Sequence, residues 1–199
     1  MSTVKSKKLQ VGTDATSSNN FTIYQPATPD GTLRIGVGNA DSPTEVGRFN
    51  SNGYVATNAP IFSAYAGSNF SVSASTFTKI QYSSIEYDTN SCFDTSNYRF
   101  TPNVAGYYHF IATAQAHTSW TGGFVSLRRN GSGAQADNKL SNNINQGAGD
   151  TGIFNSSATF YLNGTTDYVE AYLIWGVTQD VTGARADVTF FQGHLVRAV

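Results

Sequence analysis

The sequence predicts an all-β protein, and three features carry that reading: its composition, its short alternating segments and the turns between them. Gly, Ser, Thr and Asn make up about two-fifths of the 199 residues, well above a typical globular chain. Charged residues reach only 13%, as do aromatic residues, a balance that suits short strands joined by tight turns. No segment holds a 3.6-residue apolar period, so almost no helix is expected. So low a charge density also predicts that assembly withdraws part of the surface from water.

Residues 1–20 are dominated by Ser, Thr, Asn and Lys, with Leu9 and Val11 as isolated apolar positions, and read as a disordered or adaptable terminus. Short strands are then predicted at 21–25, 32–38 and 45–49. Turns at Pro29-Asp30-Gly31 and across 39–43 separate them. Strands so short and glycine-rich cannot bury a core within one copy, so a core shared among chains is expected. Residues 50–58 are rich in Asn, Ser and Thr and read as a hinge. The boundary is placed there, between an N-terminal segment, 1–56, and a C-terminal domain, 57–199.

In the C-terminal domain, 60–66 reads as the first strand and 77–87 as the next. The sharpest segment follows. Phe100 to Phe110 contains Pro102 and Gly106, which bracket a turn because one fixes φ and the other tolerates positive φ. Beyond it Tyr108, Phe110, Ala112 and Ala114 alternate with Tyr107, His109, Ile111 and Thr113. A period of two with apolar residues on both faces predicts a central strand. Residues 123–129 form a strand closing on Asn130-Gly131, a hairpin-turn pair. Residues 132–152 read as a long loop or weak strand. Strands are expected at 153–162, ending in Asn163-Gly164, at 167–176, and at 188–199.

Candidate chemistry is sparse. Net charge is −1, from 12 basic and 13 acidic residues, and no basic block exceeds Lys5, Lys7 and Lys8. The electrostatic footprint of a nucleic-acid binder is absent, so no nucleic-acid partner is expected. No run approaches the ~20 apolar residues of a membrane-spanning helix, so no membrane insertion is expected. Cys92 is the single cysteine and cannot form an intrachain disulfide. His109, His117 and His194 are far apart and form no metal-binding run. No Gly-x-Ser-x-Gly elbow and no phosphate-cradling loop occurs. No cofactor and no enzymatic activity are therefore expected.

Glu86, Asp88 and Asp94 are the densest acidic group. Paired carboxylates could cleave a glycosidic bond, as a polysaccharide depolymerase requires. The competing reading has Asp88 satisfying backbone N–H groups at a turn. Trp120, in the polar setting 118–123, is a candidate for stacking on a sugar ring or for covering a core edge. Trp175, ending an apolar strand, reads as core.

The spacing of Tyr82, Asp88, Phe93, Phe100, Gly106, Tyr108 and Phe110 resembles the signature of the C1q-like globular heads, relatives of the tumour necrosis factor jelly roll. Tyr82 stands where Phe is usual and Ala112 where a final aromatic is usual. Phe191-Gln192-Gly193-His194-Leu195 is similar to that family's closing strand. The resemblance covers about 59–199. It implies a jelly-roll β-sandwich and a homotrimer in which these strands face a threefold axis. Tyr108, Phe110, Phe191 and Leu195 then either fill the space between subunits or lie inside one sandwich. Some heads of the family bind calcium through acidic loop residues. That site has no residue-by-residue match here, so calcium stays open.

The N-terminal motifs 30–36 and 49–54 resemble the strand-and-turn shafts and docking segments of bacteriophage fibre proteins. The chain begins Met1-Ser2-Thr3-Val4-Lys5, with no apolar leader, and is expected to fold in a cytoplasm. Together these resemblances imply a trimeric virion protein. Its N-terminal segment would dock on other virion proteins and its head would bind host-surface polysaccharide or protein. The alternatives are a capsid or tail decoration protein and, behind it, a depolymerase.

Overall fold

The computed structural model describes residues 7–56, 59–118, 122–141 and 152–199, and the chain divides into two compact units, 1–58 and 59–199. In the first unit β1 (Lys8–Val11), a 3-10 turn (Ser17–Asn19), β2 (Phe21–Tyr24), β3 (Leu33–Val37), β4 (Thr44–Asn50) and β5 (Gly53–Ala56) follow in chain order. The five strands form one antiparallel meander in the order β1-β2-β3-β4-β5. Two expectations are corrected here. Leu9 and Val11 belong to a strand, because β1 pairs along its whole length with β2, Leu9 opposite Ile23 and Val11 opposite Phe21. The segment read as a hinge instead turns at Ser51-Asn52 and returns as β5, with Tyr54 opposite Phe49.

The second unit contains β6 (Ile61–Tyr65), β7 (Phe70–Val72), β8 (Thr78–Lys79), β9 (Ser84–Asp88), β10 (Phe93–Asp94), β11 (Arg99–Phe100), β12 (Gly106–Gln115) and β13 (Gly123–Arg129). Then come β14 (Asn138–Ser141), β15 (Ile153–Leu162), β16 (Val169–Trp175), β17 (Gln179–Val181) and β18 (Phe190–Ala198). No α-helix occurs among the described residues. One sheet runs β15-β12-β18-β6-β9; the other runs β10-β11-β16-β13-β14, with β8 also on β16. β17 and β7 form a separate antiparallel pair. Both main sheets are antiparallel, and their inward residues form one core, the two-layer solution for amphipathic sheets.

β12 is flanked on both sides, by β15 and β18, as its two-sided apolar alternation requires. The segment 77–87 is not one strand. Thr78 and Lys79 pair with β16 in one sheet, while β9 pairs with β6 in the other. Between them the Tyr82 N–H donates to the Ile80 carbonyl at 3.2 Å, a tight turn that carries the chain across the sandwich. Asn130 and Gly131 both take positive φ, 53° and 68°, and the Ser132 N–H donates to the Arg129 carbonyl at 3.1 Å, so the pair makes a tight turn at the end of β13. It is not a two-residue hairpin, because β14 pairs back only from Asn138, opposite Arg128.

Candidate functional site

The signature residues converge on one ring, that of Phe62. It stacks on Phe100 at 4.6 Å and on Phe93 at 5.0 Å, and meets Phe191 edge-on at 5.0 Å. Phe100 in turn contacts Phe110 at 5.5 Å and Tyr108 at 5.4 Å. Tyr82 packs on Phe191 at 5.5 Å and donates its hydroxyl to the Thr113 carbonyl at 2.9 Å. Burial pushes the Tyr82 phenol well above its ordinary range. The sequence showed Phe62 only as a strand residue; its role as hub appears once β6 pairs with β18.

One open assignment is decided at this point and one changes. Tyr108, Phe110 and Phe191 are fully enclosed within one chain, and Leu195 packs against the same core. They therefore lie inside the sandwich rather than between subunits. Their positions alternate with outward-facing ones on the same strands, so the rings available to a partner are their neighbours. Gly106 does not take positive φ. It is the first residue of β12, where a Cβ would strike the Arg197 carbonyl and lie 2.7 Å from Leu195 Cδ1. Close strand approach, not turn geometry, requires glycine there. Gly193 follows the same logic, with its Cα facing the rings of Phe110 and Phe62.

The three acidic candidates serve local hydrogen bonds. Asp88 accepts the Phe93 N–H at 2.7 Å and the Asn90 N–H at 3.4 Å. Asp94 accepts the side chain of Asn97 at 2.6 Å and the backbone of Ser96 and Asn97, which hold its carboxyl below the usual range. Glu86 accepts the Ser63 hydroxyl at 2.6 Å. No group of three or more metal-ligating side chains forms among the described residues. Trp120 lies outside the described residues. Trp175 is enclosed against Phe154, with ring centroids 6.1 Å apart.

The outward face of the β15-β12-β18-β6-β9 sheet is the feature with functional shape. Tyr107, Ile111, Tyr161, Ile61 and Tyr87 stand exposed there. Tyr107 lies directly opposite Tyr161 in the ladder, with ring centroids 5.6 Å apart. Between these apolar groups run polar ones, with Arg197 opposite Tyr107 at the edge of the patch. His109 faces His194 across β12 and β18, ring centroids 5.9 Å apart, and the His109 nitrogens meet the hydroxyls of Thr159 and Ser157 at 3.1 Å each. A shallow recess of about 200 Å³ opens beside Ile61, Tyr87, Ile111 and the two histidines. A broad face with aromatic and aliphatic groups and satisfied polar ones is suited to protein contact. Sequence reasoning placed Tyr107, His109 and Ile111 on the alternate face of the strand but did not single them out as a surface; period-two alternation with the buried set is the signal that could have done so.

The opposite sheet carries a different surface. Arg128 is sandwiched between Phe77 and Tyr172, its guanidinium 4.4 Å and 4.3 Å from the two ring centroids. Beside it, buried Glu170 pairs with Lys79 and accepts the Tyr172 hydroxyl at 2.8 Å. Desolvation, together with that carboxylate, pushes the Tyr172 phenol up to about 12. An apolar recess of about 500 Å³ lies at the end of this sheet, among Phe77, Phe124, Leu140, Ile174 and Trp175.

No family model matches this sequence, and no curated protein does. Solved structures do match in three dimensions. The globular domain of zebrafish complement 1qA protein superposes with a TM-score of 0.50 at 17% identity, covering 70% of this chain and 98% of that one. The Eiger TNF of S. frugiperda gives 0.51 at 10% identity, covering 71% and 93%. Murine APRIL gives 0.50 at 11% identity, covering 69% and 99%. Such identities speak to architecture alone. The chain carries a jelly-roll domain with the fold of the C1q and tumour necrosis factor globular heads.

Proposed function

We propose that this chain is a non-enzymatic homotrimeric virion protein, a fibre whose head binds the host surface while its N-terminal unit docks on the particle. The observation that carries the trimer is the exposed face of the β15-β12-β18-β6-β9 sheet. Tyr107, Ile111, Tyr161, Ile61 and Tyr87 form an exposed apolar cluster on one sheet face, the kind of patch that marks a protein-interaction site. The resemblance to C1q-like heads, in which the corresponding strands face a threefold axis, supports assembly through this side. The resemblance of 30–36 and 49–54 to fibre shafts supports the virion setting.

Three copies let weak contacts act together, because each bound head raises the effective concentration of the next. Function then needs no catalytic group. Two measurements test the reading. Isolated protein should adsorb to host cells and compete with infection, and cryo-microscopy of particles should place the trimer at a tail fibre. Recovery at fixed copy number on the particle without cell adsorption would replace the fibre role by decoration. Release of reducing ends from host polysaccharide, lost on Asp88→Asn, would replace it by depolymerisation.

A further inference from the structure

The N-terminal unit is a sheet with one layer and two unlike faces. Strand alternation and the register of its four ladders put Leu9, Val11, Phe21, Ile23, Leu33 and Phe49 on one side, with Ile35, Val37 and Tyr54. Tyr54 folds its ring over Gly47 and contacts Phe49 at 5.2 Å, so the aromatic groups cluster on that side. No charged residue interrupts this face. The charges lie on the other, where Arg34 pairs with Asp30 and Glu45 and Arg48 pairs with Glu45. An amphipathic sheet is stable only when its apolar face meets a second layer, and the described residues of this unit supply none.

We infer that the missing layer is the same face of other copies, so that the N-terminal sheets close on one another through Phe21, Leu33, Ile35 and Phe49. Seven large side chains on the face are between 36% and 59% exposed. That is on the order of 700 Å² per copy, close to the ~800 Å² each partner gives to a specific interface. A face without charge or buried polar group is of the kind that obligate self-association uses, a core cut between copies. A heterologous docking site would instead carry polar groups that fix orientation. The inference rests in part on the trimeric head proposed above, since joined heads would hold three N-terminal sheets at high effective concentration.

The test uses the full chain. In Phe21→Glu/Leu33→Glu the oligomeric mass should stay that of the parent, because the heads remain joined. Amide hydrogen exchange across β2 and β3 should nevertheless accelerate by roughly tenfold or more, with β12 and β18 unchanged. A cysteine at Ile35 should cross-link copies in dilute solution, whereas one at Val55, on the opposite face, should not. Unaltered exchange in the double variant, or no cross-linking at Ile35, overturns the inference and leaves the head reading intact. Protection of β2 and β3 that appears only when another virion protein is added also overturns it. A parent chain of single-copy mass that still cross-links at Ile35 upon concentration would overturn the head reading and support this one.

Discussion

Gly193 sits opposite Phe110 in the β12–β18 ladder, and a Cβ added there would come within 2.5 Å of the Phe110 ring. The same Cβ would lie 2.8 Å from the ring of Phe62. Glycine is what lets two large rings meet beneath the closing strand. Gly193→Val should therefore overpack the core and cost about 1–3 kcal/mol, read as a lower midpoint in urea denaturation. Phe62→Ala removes the hub and should cost more, about 3–5 kcal/mol.

Buried Glu170 is 3% exposed and depends on Lys79 for its counter-charge. Lys79→Met should destabilise the head by about 3 kcal/mol, since it removes the ion-pair partner of an enclosed carboxylate. Lys79→Met/Glu170→Gln should recover most of that loss. A double-mutant cycle by denaturant unfolding gives the coupling directly.

Acid should loosen the N-terminal sheet. The Thr32 and Arg34 side chains hold the Asp30 carboxyl down at about 2, from an ordinary 3.8. A depressed carboxylate stabilises the folded state above its unfolded value and loses that contribution as pH falls through its folded value. The loss should run from about pH 4 down to pH 2. Exchange rates in β3 followed across this window should rise, and in Arg34→Gln the rise should begin at higher pH.

Tyr82→Phe should cost about 1–2 kcal/mol, because the Thr113 carbonyl loses its buried donor. Thermal unfolding of the two proteins measures it. The phenol itself, raised by burial, should not ionise before the fold is lost, so an absorbance titration of the folded protein should show Tyr82 silent through the ordinary tyrosine range.

Much of this was legible in the residues. The alternation from Gly106 to Gln115 gave a central strand because both faces of β12 carry apolar groups, and Asn130-Gly131 marked the turn that ends β13 through backbone geometry alone. What stayed hidden depended on register between distant segments. His109 and His194 meet only because β18 returns alongside β12, with a bulge at Tyr107/Tyr108 that sets which residues oppose. Leu9 and Val11 are isolated apolar positions in the sequence, and only β2 provides their partners. The segment from Phe77 to Tyr87 looked continuous because Ile80 and Tyr82 are both apolar, yet both are buried at a crossing between sheets. Buried and exposed aromatic residues alternate on β12, so composition could not assign Tyr107 outward and Tyr108 inward without the pairing of both edges.

Three subunits meeting through the outward face of β12, β15 and β18 is the claim on which the functional account stands. Multi-angle light scattering of the full chain in dilute solution tests it most directly. The account predicts three times the chain mass of 21.3 kDa for the parent. It predicts single chains for Ile111→Glu at concentrations where the parent stays threefold. A parent of single-chain mass, or an Ile111→Glu variant that keeps the parent's mass and stability, would contradict it.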